Sequence, residues 1–130
     1  MSDKITGTYL IMLIFHIIHI FEEVLAGFHI IDEIFGIRYF LILNLILFII
    51  PLAMIFYLIR NKTFAAYFSL LYAGIMIING LAHIIATVVT GRYFGGYAGG
   101  ISGTGMVITG FFLIIFIRRK ILNDRISSVK

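Results

Sequence analysis

Cysteine is absent from the chain, proline occurs once, at Pro51, and only 12% of the 130 residues are charged. The missing cysteines exclude a disulfide framework and any thiolate metal site. A metal would have to be held by His, Asp or Glu, a donor set that suits iron, zinc or manganese. The shortage of charge excludes a soluble domain of this size, which needs polar side chains to cover its surface. The lone proline falls inside an apolar run and is expected to kink the helix that carries it.

What is present is mostly apolar: 62% of residues are hydrophobic and the mean hydropathy is +1.12. The runs are long enough to cross about 30 Å of hydrocarbon. They predict an all-α fold, a four-helix transmembrane bundle over residues 8–27, 39–59, 64–90 and 98–117. One domain uses nearly the whole chain, and the short connections make neighbouring helices antiparallel. The expected location is the cell membrane, crossed several times. A cleaved leader is not expected, because His16, His19, Glu22 and Glu23 interrupt what would be its apolar core.

The net charge of +4 raises nucleic acid as a partner. The positions of the basic residues argue against it. Lys4, Arg60, Lys62, Arg118, Arg119, Lys120, Arg125 and Lys130 all fall on one side of the predicted spans, leaving Arg38 and Arg92 on the other. That is the pattern membrane topology produces, and it places both termini in the cytoplasm. The expected surroundings are membrane lipids, with no nucleic acid. Tyr9, Tyr39, Tyr57 and Tyr67 are read as residues of the interfacial belt.

At the start of the fourth span, Gly95, Gly99 and Gly103, with Gly96 and Gly100 beside them, follow a small-xxx-small pattern. Such spacing lets another helix backbone come close, and on a free face it would support a homodimer. The stretch from Gly95 to Gly100 has a second reading as a re-entrant loop facing protein or water.

Depth is the most informative quantity in the sequence. At about 1.5 Å per residue, Glu22 lies roughly 7 Å to the outer side of the midplane and His83 roughly 9 Å to the same side. Asn44, Ser102 and Thr104 fall in that half too, and each reads as an interhelical hydrogen-bond former. The inner halves hold little but aliphatic residues, with occasional Tyr and Ser69. On the first helix, a step of about 100° gathers His16, His19, Glu22 and Glu23 on a face about 120° wide. On the third, Asn79 and His83 are four apart and face the same way, with Tyr72 nearly in line. An acidic residue in the membrane centre costs roughly 2.5–3.5 kcal/mol on insertion scales, so two adjacent ones must turn inward and find partners.

These residues form a recognisable set. His19-Ile20-Phe21-Glu22-Glu23 reads H-x-x-E-E, Asn79 to His83 reads N-x-x-x-H, and Tyr93-Phe94-Gly95-Gly96 follows with glycine where a Y-x-P-G element has proline. In these three elements, taken in order across four spans, the chain resembles the HXXEE-domain family of small bacterial membrane proteins. That family is defined by its motif and not by a reaction, so the resemblance implies fold and motif positions, and activity has to be read from the side chains.

The side chains point first to a membrane-embedded enzyme acting on a lipid or other apolar substrate. Glu22, Glu23 and His83 are its candidate catalytic groups. His19, Glu22, Glu23 and His83 are the candidate ligands of one divalent metal ion, zinc or iron. His16, Asn79, Tyr72 and Tyr93 are expected around them, with Asn79 and Tyr72 orienting His83. A metal-free version would use the same acids and imidazoles as a proton shuttle. The other class is non-catalytic: proton- or ion-coupled transport, or an accessory or immunity role in which the polar core only fixes the fold. His29, Asp32 and Glu33 are assigned to a solvated outer loop.

Overall fold

The computed structural model describes residues 3–26, 36–91 and 100–127. Among them lie four α-helices: α1 (Asp3–Ala26), α2 (Ile37–Ile59), α3 (Thr63–Thr90) and α4 (Gly100–Ser127). Each is long and apolar enough to cross a membrane. The second and third match the expected spans to within two residues, and α1 begins five residues before the expected Thr8. The fourth runs ten residues beyond the expected Ile117, because a helix does not have to stop where its apolar run stops. Its last turns leave the apolar region as a charged helix, with Lys120 Nζ 2.8 Å from Asp124 Oδ2 one turn on.

Between α2 and α3 the chain reverses over Arg60, Asn61 and Lys62. Asn61 takes a left-handed conformation there, with φ at 55°. The guanidinium of Arg60 lies 3.7 Å above the ring of Phe56, which ties a polar turn to the helix end it follows.

Around the bundle, α1 packs on α2 and α4, and α3 packs on the same two helices. α1 and α3 therefore face each other across a diagonal. The tightest seam joins α3 and α4, and glycine makes it. Gly80 and Gly103 meet backbone to backbone: a Cβ on Gly80 would collide with the carbonyl oxygen of Gly103, and one on Gly103 would lie 3.0 Å from that of Gly80. Farther along, Gly110 lies under Ile77 of α3, and Gly105 lies under the ring of Phe15 of α1. Gly103 is thus spent on a contact inside the chain. Gly95, Gly96 and Gly99 fall outside the described residues, as does the choice between helix and re-entrant loop before Gly100.

α2 is the lightly held helix. Only 11% of its apolar window is buried, against 44% for α4. Its fixed point is Pro51, which is buried and whose carbonyl accepts the Tyr9 hydroxyl at 2.8 Å. Tyr9 is therefore no belt residue. It is fully buried, 5.6 Å from the ring of Tyr72 (centroid to centroid), whereas Tyr39, Tyr57 and Tyr67 are exposed as expected. A tyrosine buried among apolar neighbours needs a partner for its hydroxyl, and the proline turn supplies one. Tyr9, Tyr72, Met12, Met76, Leu58 and Leu113 belong to the apolar core on this side of the bundle.

Candidate metal centre

In the half of the bundle away from the described termini, α1 and α3 bring three ligand-type side chains together across the diagonal. His19, Glu23 and His83 each offer one donor atom, and the three donors lie within 4.8 Å of one another. Glu23 Oε1 is 3.2 Å from His83 Nε2 and 3.6 Å from His19 Nε2. The two imidazoles meet edge to face, their centroids 4.4 Å apart. All three residues are buried, at 1% exposure for His19, 4% for His83 and 7% for Glu23.

Helical spacing explains why these three meet. His19 and Glu23 are four apart, so one turn of α1 stacks imidazole over carboxylate on the inward face. Neighbouring residues diverge by about 100°, so Glu22 and Glu23 cannot both face the same partner. Glu22 turns instead toward α4, where it accepts the hydroxyl hydrogen of Ser102. It stands beside the cluster and is not one of its three members.

That contact, taken with the one from Asn79, assigns the tautomer of His19. Ser102 gives its hydroxyl hydrogen to Glu22, so toward His19 it acts as an acceptor. The 3.1 Å contact is then a bond donated by Nδ1–H of His19. A neutral imidazole protonated at Nδ1 carries its lone pair at Nε2. Asn79 agrees with that assignment, since its Nδ2–H donates to His19 Nε2 at 3.0 Å. His19 is thereby gripped at both ring nitrogens, from α4 on one side and α3 on the other.

The remaining expected residues sort as follows. Asn79 was expected to orient His83, and its bond goes to His19. Tyr72 was given the same task, and its hydroxyl bonds Nδ1 of His16 at 2.7 Å. His16 is fully buried one turn toward the midplane, its ring also edge-on to Phe48. Asn44 donates to the Phe40 carbonyl within its own helix, so its described bond is not interhelical. Tyr93, His29, Asp32 and Glu33 lie outside the described residues. The residue whose role the sequence did not show is Ser102. A serine at matching depth read as generic helix contact, and only the geometry shows it bridging Glu22 and His19.

Beside the cluster, between α2 and the α1–α3 diagonal, lies a cavity of about 390 Å³. Glu23, His16, Asn44 and Asn79 contribute to its wall, and the rest is apolar, including Phe40, Leu43 and Met76. Among the described residues, the wall of the cavity beside the site is mostly apolar.

The donor set fits a metal. Two imidazoles and one carboxylate, with a further position left for water or substrate, is a donor set used by catalytic zinc and by non-haem iron. Ligands about 2.0–2.1 Å from a tetrahedral ion lie about 3.3–3.4 Å apart, and the two carboxylate–imidazole separations bracket that value. No family model, curated protein or solved structure matches the chain.

Proposed function

We propose that this chain is a membrane-embedded enzyme that acts on a lipid or similarly apolar substrate, with one divalent ion, zinc or iron, held by His19, Glu23 and His83. The observation that carries the reading is the convergence of three buried ligand-type side chains from two diagonal helices at the wall of an apolar cavity. Ionisable residues at membrane depth are costly, and residues kept only to fasten helices are usually Asn, Ser or Thr. A bound ion would supply Lewis acidity and an activated water. The chain's own groups do the rest. Ser102 and Glu22 hold His19 in the tautomer that presents Nε2, and an ion held there would take the place of the hydrogen that Asn79 donates. An apolar substrate in the cavity would lie beside Glu23. The basic flanks of the spans support a multi-pass protein of the cell membrane with both termini cytoplasmic, and the ordered motif residues support kinship with the HXXEE-domain family.

The test is elemental analysis of protein purified in mild detergent, alongside His19→Ala and His83→Ala, with the lipid profile of cells carrying each form. One zinc or iron per chain, lost in both variants together with a change in lipid profile, is the expected result. A metal-free protein whose expression still changes the lipid profile would end the metal reading. An unchanged profile would end the enzyme reading in favour of a transport or accessory role.

A further inference from the structure

The cavity beside the cluster does not end at the site. A second cavity of about 110 Å³ shares Leu47 of α2 and Ile75 and Met76 of α3 with it. Together they make one trough along the seam of α2 and α3. From Phe68 to Ala82 the trough follows α3 for about 21 Å, at about 1.5 Å per residue. That is somewhat more than one leaflet, half of a hydrocarbon core about 30 Å thick.

Its two ends differ in chemistry. Glu23, Asn44 and Asn79 stand at the end away from the described termini, while Ile50, Pro51, Phe68 and Leu71 make the other end, which has no polar lining. The flank is open, since Leu43, Leu71 and Ile75 are exposed on the side a membrane would bathe. The polar end lies in the outer half of the bilayer. Glu23 is one turn from the last described residue of α1 and His83 two turns from the end of α3, roughly 8–9 Å from the midplane of a core about 30 Å thick.

We infer that this trough holds one acyl chain of a membrane phospholipid, its ester carbonyl lying against Glu23 and Asn79 and its tail running down α2 and α3 to Pro51. The inference rests on the lipid-enzyme reading above and adds the class of substrate and its direction. Charge selects the ester over a free fatty acid. Among the described residues neither Lys nor Arg lines the trough, so no basic side chain there pairs with the carboxylate of a free fatty acid. A neutral ester carbonyl needs no such partner and can accept an amide hydrogen from Asn79.

The full chain, reconstituted in phosphatidylcholine vesicles containing a small fraction of phosphatidylcholine with a diazirine on one acyl chain, is irradiated and its adducts mapped by mass spectrometry. Adducts at Leu43, Leu47, Leu71 and Ile75 should exceed those at the comparably exposed Phe111 and Phe112 of α4 several-fold. Leu47→Trp and, separately, Ile75→Phe should fill the trough and lower its labelling several-fold, with metal content per chain unchanged. Adducts spread around the bundle in proportion to exposure would overturn the inference, and the wild-type map alone decides this if a filled variant does not fold. Labelling that neither filled variant lowers would overturn it as well. Labelling by a diazirine fatty acid but not by the phospholipid would overturn the ester assignment. Uniform labelling of a metal-loaded chain sinks the acyl-chain inference alone, whereas trough labelling in a metal-free chain sinks the metal reading alone.

Discussion

Ser102 donates its hydroxyl hydrogen to a carboxylate oxygen of Glu22, and the bond fixes how the same serine meets His19. A hydroxyl has one hydrogen and two lone pairs. With the hydrogen committed to Glu22, the oxygen takes Nδ1–H of His19 and leaves Nε2 as the donor atom facing Glu23 and His83. Two residues from two helices, Ser102 directly and Glu22 through it, thus act on one imidazole.

Replacing Ser102 with Ala should weaken metal binding by about 10–100-fold, the usual effect of removing a group that orients a ligand histidine. Titration with zinc against a competing chelator measures it. Cobalt substitution adds a spectroscopic readout of ligand geometry that a merely structural serine would leave unchanged. Wild-type affinity and an unaltered cobalt spectrum in the variant would rule the relay out.

The two adjacent glutamates should behave differently. Glu23→Gln removes the carboxylate ligand between the imidazoles and should reduce bound metal well below one ion per chain. Glu22→Gln should keep one ion per chain with lower affinity, because it alters only the partner of Ser102. Elemental analysis of the two proteins side by side decides the matter, and equal losses would contradict the assignment.

Glycine substitutions separate contact from propensity. Gly80→Ala puts a methyl group into the Gly103 carbonyl and should destabilise the bundle by about 1–3 kcal/mol, as overpacking does. Gly74, on the same helix, has nothing within 4 Å of its would-be Cβ. Gly74→Ala should be neutral or stabilising by up to about 1 kcal/mol. Thermal unfolding in detergent reads both, and a tolerated Gly80→Ala would show that the α3–α4 seam is looser than described.

Tyr9→Phe removes the hydroxyl that bonds the Pro51 carbonyl and should cost about 0.5–1.5 kcal/mol. Tyr39→Phe, at an exposed position, should leave the melting temperature where it is. Identical melting temperatures for both variants would mean that the Pro51 bond contributes nothing measurable.

The four helices and the ends of the second and third were legible because apolar length and polar breaks coincide there, whereas α1 begins five residues before the expected Thr8. The end of α4 was not legible either, since hydropathy reports the membrane boundary and the helix continues past it as a charged segment with its own Lys120–Asp124 pair. Within the site, Glu23, His19 and His83 could be read from spacing and depth. Which of Glu22 and Glu23 faces them could not, because a helical wheel fixes angles within one helix and not the rotation of that helix against its neighbours. For the same reason Asn79 could be placed at the site, although its partner proved to be His19. Tyr9 lies at a depth where tyrosines usually mark the interface, and only the position of Pro51 on the adjoining helix shows why it is buried.

The two residues that clasp His19, Asn79 and Ser102, each immediately precede one of the two glycines at which α3 and α4 touch, Gly80 and Gly103. That point works as the pivot of a pair of pliers whose jaws are an amide and a hydroxyl, closed on a single ring. Jaw spacing is set at the pivot, so a methyl group added there would spread the jaws and release the ring without altering any residue that touches it.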